Sequence, residues 1–138
     1  MHVKELAVKA GVTSHVVRYY TQIGLLMPAR DPDNGYRVYK PNDVFRLRFI
    51  RRARWLGFTL SDVRAILGDV DAGASPCSDV RHIVRERLSD VEEKINYLSR
   101  LRRRLREAQQ LWDTMPDRPP NHRSLCHLID AIAENSGA

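Results

Sequence analysis

Arginine and tyrosine side chains cluster between Val12 and Tyr39, on a predicted helix and on the hairpin that follows it. The helix carries Arg18-Tyr19-Tyr20, and the hairpin turns around Asn34-Gly35. A guanidinium group can bind a guanine edge bidentately or clamp a phosphate, and a tyrosine hydroxyl can donate to a phosphate oxygen. A helix that can enter a DNA groove, followed by a basic hairpin that can contact the phosphate backbone, indicates that this segment binds double-stranded DNA.

The predicted DNA contacts divide between a groove set and a backbone set. The groove candidates are Ser14, His15, Arg18 and Tyr19 on the second helix. The backbone candidates are Tyr36, Arg37 and Tyr39 on the hairpin and Arg54 on the third helix. The inner side of the second helix is predicted to carry Val12, Val16, Tyr20 and Ile23. The sequence leaves open whether Arg18 reads a base or binds a phosphate.

The two cysteines, Cys77 and Cys126, are the other residues that could do chemistry. Two cysteines do not make a disulfide framework, so reactive or metal-binding thiols are the functional options, and small buried apolar residues are the alternative. Cys77 falls at the second position of a predicted long helix, and Ser124 can cap a short helix that places Cys126 equivalently. Helix N-termini stabilise thiolates, the form that binds metal or reacts.

A helix-turn-helix and a wing are predicted to position the DNA contacts. Gly11 is placed to end the first helix, and Thr13 or Ser14 can cap a second helix that runs to about Ile23. Residues 25–29 and 36–39 are predicted to be extended. Asn-Gly between them is a favoured hairpin turn because both residues tolerate positive φ.

Two further helices complete the predicted head. The third starts near Asn42 and turns one apolar face inward, formed by Val44, Leu47, Ile50 and Ala53. Thr59 and Asp62 form a capping-box-like start to the fourth. The core face of that helix consists of Val63, Ile66 and Leu67. A run rich in Gly, Ala, Asp and Ser begins at Gly68 and predicts a linker.

The basic charge is confined to the first half of the chain. Of 138 residues with net charge +6, residues 1–68 hold 12 Lys/Arg against 5 Asp/Glu, and residues 69–138 hold 11 against 12. This asymmetry is expected if the first half meets phosphates, although a charge serving solubility is the alternative. Neither a signal peptide nor a transmembrane run is visible, so we expect a cytoplasmic protein without membrane contact.

A very long helix is predicted from Ser75-Pro76 to about Asp113, on the order of 50 Å at 1.5 Å per residue. Its apolar residues follow the four-three spacing of a coiled-coil seam, interrupted at Arg102. They are Val84, Leu88, Val91, Ile95, Leu98 and Leu105. Because such a helix cannot bury its seam alone, a partner is required, and a homodimer is the simplest.

The charge distribution along this helix favours antiparallel pairing. Acidic residues lie in its first half and basic residues in its second, so crossing near Asn96 sets Glu86 near Arg106 and Glu92 near Arg100. In this register the residue numbers of facing positions sum to about 192. Cys77 of one subunit then lies opposite about Met115 of the other, beside the loop that leads to Cys126.

The predicted fold is therefore mainly α-helical. A winged helix-turn-helix DNA-binding domain covers residues 1–70, a linker 71–76, and an antiparallel coiled-coil dimerisation helix 77–113. A metal-binding loop and a short terminal helix occupy residues 114–138.

The head resembles that of the mercury-resistance-regulator (MerR) family of bacterial transcription regulators. The matching residues are Leu6-Ala7, Ala10-Gly11-Val12, Arg18-Tyr19-Tyr20, Gly24-Leu25-Leu26, Pro28, Arg30, Gly35-Tyr36-Arg37, Tyr39 and Leu56-Gly57-Phe58. With the linker and long helix, the resemblance covers nearly the whole chain. One departure is Thr21, where the family usually has Glu.

The resemblance implies a metal-responsive regulator of the divalent zinc, cadmium, lead and mercury type. Such members bind their ion in a loop after the dimerisation helix and add a cysteine from the partner, here Cys77 of the partner subunit. The loop lacks a cysteine that these members usually supply before Cys126, so His122 is its natural replacement. The lesser ligand candidates are Asp113, Asp117 and His127. Sulfur and imidazole ligation favours Zn²⁺, with Cd²⁺, Pb²⁺, Co²⁺ and Hg²⁺ as alternatives.

By resemblance, the homodimer binds a promoter operator and activates transcription by distorting the DNA so that RNA polymerase engages. An alternative keeps the DNA binding but makes the thiols a redox or electrophile sensor. A third hypothesis is a metal-dependent enzyme or metal carrier. No general-base pairing, Gly-rich phosphate loop or nucleophile signature supports catalysis, so we do not expect an enzyme.

Overall fold

A computed structural model describes residues 1–133; residues 134–138, the end of the predicted loop segment, lie outside the described residues. The elements in chain order are α1 (Val3–Ala10), α2 (Ser14–Gln22), β1 (Ala29–Arg30), β2 (Arg37–Val38), α3 (Asp43–Trp55), α4 (Leu60–Asp71), α5 (Cys77–Trp112) and α6 (His127–Asp130). The predicted mainly α-helical class is confirmed. The chain divides into two compact units, Met1–Leu88 and the part from Ser89 onward.

The turn between α1 and α2 has the predicted chemistry. Gly11 adopts a left-handed conformation with φ 71°, and its N–H reaches the carbonyls of Ala7 and Val8. The Thr13 hydroxyl accepts a hydrogen bond from Val16 N at 3.3 Å, so Thr13 is the cap of α2. The inner side of α2 is centred on Val17, which is fully buried. The sequence pattern places Val16 and Tyr20 there, and both are half-buried.

The wing is an antiparallel pair in which Ala29 faces Val38 and Arg30 faces Arg37. The hairpin is as predicted, but its turn differs, because Gly35 has positive φ and Asn34 does not. Asp31 N donates to Tyr36 O, and Gly35 N donates to Asp31 O, both at 2.8 Å. Pro32 fixes its own φ near −65°, so the chain turns in a longer loop than a two-residue Asn-Gly turn.

The core of the first unit lies between α3, α4 and the helix-turn-helix. The predicted inward residues of α3 and α4 are all buried. The capping box of α4 is also confirmed: Asp62 N donates to Thr59 Oγ1 at 3.0 Å, and Thr59 N donates to Asp62 Oδ2 at 2.9 Å. Each bond satisfies a backbone donor that the helix start would leave unpaired. Local signals therefore fix these helix starts.

The first turns of α5 belong to the core of the first unit. Ile83 is buried against the cluster that contains Ile50 and Val63, and Val80 packs on the same cluster. Arg87 Nε lies 3.4 Å from Asp62 Oδ2 on α4. The start of the long helix is thereby held against the head by apolar burial and an ion pair.

The fourth helix runs past Gly68 to Asp71, further than its glycine and small residues indicate. The Arg46 guanidinium explains this, because it binds both carboxylate oxygens of Asp71, at 2.7 and 3.2 Å, and the carbonyl of Leu25 at 2.8 Å. The hydrogen bond from Arg46 lowers the pKa of Asp71. A contact distant in sequence thus extends α4. No helix within residues 1–133 combines the length and apolarity needed to cross a bilayer.

The junction of α4 and α5 brings two carboxyl groups together. The side-chain hydrogen bond with Asp79 raises the pKa of Asp69, and desolvation and the charge of Asp79 add to the effect. The folded chain therefore holds this proton more tightly than the unfolded chain does. The proton on Asp69 therefore stabilises the folded state. This stabilisation is fully present below pH 3.8 and is lost as the pH rises through the raised pKa of Asp69.

Asp69→Asn is therefore expected to stabilise the protein at pH 7, because an amide donates to Asp79 at every pH, and to give no gain near pH 3. Urea unfolding at both pH values measures the effect. Asp71→Asn is the matched control with the opposite sign, because it removes the acceptor of Arg46 at pH 7. If Asp69→Asn instead lowers the stability at pH 7, the two carboxylates of Asp69 and Asp79 do not repel each other in the folded protein.

Candidate nucleic-acid interface and effector loop

The predicted groove residues share one face of α2. Ser14 and Arg18 are four residues apart, as are His15 and Tyr19, so each pair lies one above the other on the helix. His15 and Arg18 are exposed, and within residues 1–133 neither has a side-chain hydrogen bond or ion pair. Tyr19 is 42% exposed and packs edge-on against Tyr20, with ring centroids 5.2 Å apart. The face is therefore open for contact with a ligand.

The tip of the wing is exposed and basic. Tyr36 is 65% exposed, and Arg37 is half-buried beside it. The loop is stabilised by Arg30 Nη1, which donates to Gly35 O at 3.0 Å. His2 joins this surface, because its Nδ1 donates to Arg37 O at 3.3 Å and its ring meets Tyr36 edge-on at 6.1 Å. Sequence reasoning missed His2, since only the fold brings it to residues 36 and 37.

Tyr39 is not available for DNA, which corrects the prediction of a backbone contact. Its side chain is 1% exposed and packs in the cluster with Leu6, Val17 and Leu47. Both residues of β2 are half-buried, and Tyr39, the next residue, is fixed in the core with its N–H donating to Met1 O at 2.7 Å. The hydroxyl of Tyr39 bonds Thr21 Oγ1 at 2.7 Å instead. A tyrosine in a basic, aromatic stretch is here a core residue.

The arginines of α3 divide into structural and accessible groups. Arg46 binds Asp71, and Arg48 Nη2 donates to Lys9 O at 2.9 Å at the end of α1. Arg54 is exposed, but its Nη1 donates to Phe58 O at 2.7 Å, which leaves its other guanidinium nitrogens for a phosphate. Arg51 and Arg52 are exposed without a side-chain partner among the described residues.

The second unit contains a folded loop after α5. Trp112 Nε1 donates to Leu128 O at 2.5 Å, and His127 Nε2 donates to Pro116 O at 2.7 Å. Asn121 Oδ1 accepts from Arg123 N at 2.8 Å and from Ser124 N at 3.0 Å. These bonds hold the loop on α6 and on the end of α5.

The two cysteines are free and exposed. Cys77 is the first residue of α5, and its N–H approaches Ser75 Oγ at 3.4 Å. The sequence predicted a terminal helix that is capped by Ser124 and contains Cys126. This prediction is wrong, because Cys126 is itself the cap residue and α6 begins at His127. The reason is that the Ser124 hydroxyl bonds the Asp130 carboxylate. The terminal helix has four residues, so we assign its dipole no role at Cys126.

The candidate metal ligands are accessible, but one chain does not assemble them. His122, Asp113 and Asp117 are exposed, and within residues 1–133 their side chains form no hydrogen bond or ion pair. His127 has Nε2 engaged by Pro116 and only Nδ1 to offer. Within residues 1–133, no three His, Cys, Asp or Glu side chains are grouped to hold a metal ion.

Two family models match the chain. The model described as "MerR HTH family regulatory protein" matches residues 1–69, which contain the helix-turn-helix and the wing. The model described as "MerR, DNA binding" matches residues 44–108, which run from α3 into α5.

Similar proteins span nearly the whole chain. The "Heavy metal-dependent transcription regulator 2" of Rhizobium meliloti (strain 1021) is 35% identical over 138 residues, which cover 99% of this chain and 88% of that protein. The "HTH-type transcriptional regulator ZntR" of Escherichia coli (strain K12) is 37% identical, over 96% of this chain and 92% of that protein.

A solved structure has the same fold. It is the transcription regulator PbrR691 from Ralstonia metallidurans CH34, in complex with lead(II), which aligns with a TM-score of 0.73 and 28% identity. The alignment covers 96% of this chain and 99% of that chain. The similar proteins named here are regulators and not enzymes. The chain belongs to the MerR family of transcription regulators.

Proposed function

We propose that this regulator is a metal-responsive homodimer that binds an operator through α2 and the wing and receives its signal at Cys77, His122 and Cys126. The observation that carries the proposal is the presence, on one chain, of an open DNA-reading face and of a folded loop with an exposed thiol. The relatives named for heavy-metal response, and the lead(II) complex of PbrR691, support the metal part.

The DNA face combines two kinds of contact. His15, Arg18 and Tyr19 are exposed on one face of α2, where Ser14 is half-buried beside them, and Tyr36 and Arg37 lie on the wing. Phosphate contacts position a protein on the duplex, whereas side chains in the groove read the bases. We assign the wing, with Arg54, to phosphates and the α2 face to the groove.

Arg37→Ala is expected to weaken operator binding and to reduce the salt slope of log K by about 0.9, the contribution of one phosphate. Fluorescence anisotropy between 50 and 200 mM salt measures both quantities, with an operator that the wild type selects from a random duplex pool. Arg81→Ala is the control, because it removes an exposed arginine from α5. Unchanged binding and slope in Arg37→Ala would remove the wing from the interface.

The exposed seam of α5 supports a dimer. Six apolar residues of the seam are 45% to 60% exposed in the single chain: Val84, Leu88, Val91, Ile95, Leu98 and Leu105. Burial of apolar surface contributes about 25 cal/mol per Å², so a helix partner would stabilise this face strongly. Glu86 already pairs with His82 at 2.9 Å and Arg87 at 3.2 Å, so its share in orienting a partner is reduced. We still favour antiparallel pairing, because acidic residues predominate in the first half of α5 and basic residues in the second half.

Disulfide cross-linking distinguishes the two orientations in a background without native thiols, Cys77→Ser with Cys126→Ser. Antiparallel pairing predicts that Glu86→Cys with Arg106→Cys cross-links under oxidation, whereas Glu86→Cys alone does not. Ile95→Cys, on the seam beside the crossing point, is the positive control, because it lies near its own copy in either orientation. Cross-linking of Glu86→Cys alone, read on a non-reducing gel, would establish a parallel dimer.

The donor set of the second unit fits a borderline-soft divalent ion. The second unit offers one accessible thiol, Cys126, and one accessible imidazole, His122, and both are ligand types that Zn²⁺ takes in tetrahedral sites. In an antiparallel dimer, Cys77 of the partner subunit would complete the set that one chain lacks. Zn²⁺ is our first choice, with Cd²⁺, Pb²⁺, Co²⁺ and Hg²⁺ as alternatives. Asp113, Asp117 and His127 remain lesser ligand candidates.

Titration of the reduced protein with Co²⁺, which reports thiolate ligation by its absorption, and competition by Zn²⁺ tests this site. Cys77→Ser and Cys126→Ser are each expected to weaken binding at least about tenfold, the scale on which metal sites respond even to lost supporting contacts. His122→Ala should weaken binding and lower the intensity of the visible bands. His82→Ala, an exposed histidine on α5, is the control.

Wild-type affinity in both cysteine variants would contradict the metal site.

A thiol-based redox or electrophile sensor is the second candidate, because both thiols are free and exposed. It predicts a transcriptional response to oxidant without metal that survives His122→Ala.

The output follows from linkage between the ion and the DNA. An ion that binds one dimer geometry better than another shifts the population toward that geometry. We propose that the favoured geometry distorts the promoter and lets RNA polymerase engage. We propose that α5 transmits the change, because its first turns pack in the head and its last residue bonds α6.

A further inference from the structure

A hydrogen bond between two side chains joins α2 to the residue that follows the wing. Thr21 Oγ1 donates to Val17 O at 2.8 Å and lies 2.7 Å from Tyr39 Oη. A threonine hydroxyl has one proton, and a carbonyl oxygen only accepts. The proton of Thr21 is therefore used on Val17, and Tyr39 must donate to Thr21.

Both ends of this bond are fixed by the surrounding structure. Tyr39 is 1% exposed, and its N–H donates to Met1 O at 2.7 Å. Thr21 is half-buried on α2, and its bond to the carbonyl four residues earlier fixes its rotamer. The bond therefore connects two ordered groups and not two mobile surface side chains.

The position of the bond relates it to both DNA-contacting surfaces. Thr21 lies three residues after Arg18, one helical turn along α2. Tyr39 lies two residues after Arg37, directly beyond β2. The bond thus holds the helix that faces the groove at a set distance from the strand that faces the phosphates.

We propose that Thr21 and Tyr39 are positioning residues for operator binding, with Tyr39 Oη and Thr21 Oγ1 setting the angle between α2 and the wing. The proposal rests on the assignment of these two surfaces to DNA. A duplex presents its groove and its phosphates at a fixed separation, so a protein that holds both surfaces in place loses less conformational freedom on binding. Without the bond, the wing keeps its contacts with Met1 and His2 but has more freedom relative to α2, and DNA binding must remove that freedom.

A double-mutant cycle tests the proposal. Thr21→Val keeps the shape and removes the hydroxyl, and Tyr39→Phe keeps the ring. Each is expected to weaken operator binding about three- to tenfold, the range of one hydrogen bond. The double variant should bind no more weakly than either single variant. The salt slope should stay at the wild-type value, because no phosphate contact is lost.

A second cycle provides a readout that a merely structural role would not move. Arg37→Ala should cost less in the Tyr39→Phe background than in wild type, because the wing is no longer held for its phosphate. Affinity is measured where urea curves show every variant to be folded. Tyr97→Phe, on an exposed tyrosine of α5, is the matched control.

Wild-type operator affinity in both single variants would overturn the proposal, whatever their unfolding midpoints. A salt slope reduced by either single variant would also overturn it, because that residue would then contact a phosphate. Failure of wild type itself to bind DNA with a salt-dependent affinity is a different result, and it would remove the underlying DNA assignment.

Discussion

The apolar seam of α5 is the constraint on which the rest of the account depends. A 36-residue helix with such a stripe cannot bury it against itself, and in the single chain the stripe is exposed. The same helix begins inside the core of the head, through Val80 and Ile83, and its last residue bonds α6. A partner that packs on the seam would therefore contact a helix whose first turns pack in the head and whose last residue bonds α6. We propose that dimerisation, DNA contact and effector binding are linked for this reason.

The charge of the head serves two purposes that the sequence does not separate. Arg46 and Arg48 use their guanidinium groups on Asp71, Leu25 and Lys9, and so hold helices together. Arg18 has no side-chain partner among the described residues and remains available to DNA. A basic half of a chain is thus not equivalent to a DNA-binding surface. The hydrogen-bond acceptor of each guanidinium group shows whether that arginine stabilises the fold or is free to bind a ligand.

Local chemistry explains which features were predictable. Gly11, the Thr13 cap and the Thr59–Asp62 box are short-range signals, because each acts within a few residues. Tyr39, His2 and the extension of α4 to Asp71 depend on neighbours at least 18 residues away in sequence. The Asn34-Gly35 dipeptide predicts a hairpin, yet the longer loop follows from the bonds of Asp31 and from Pro32. The candidate metal ligands are recognisable by type, but within residues 1–133 they are not grouped, and we propose that a partner subunit completes the site.

The central claim, that an ion at Cys77 and Cys126 changes the shape of the operator, is tested most directly by energy transfer between dyes at the two ends of a selected operator. We expect Zn²⁺ to change the transfer efficiency of the wild-type complex. We also expect no change with Cys126→Ser, although that variant binds the same DNA. An unchanged efficiency in a wild-type complex that demonstrably holds the ion would contradict the account.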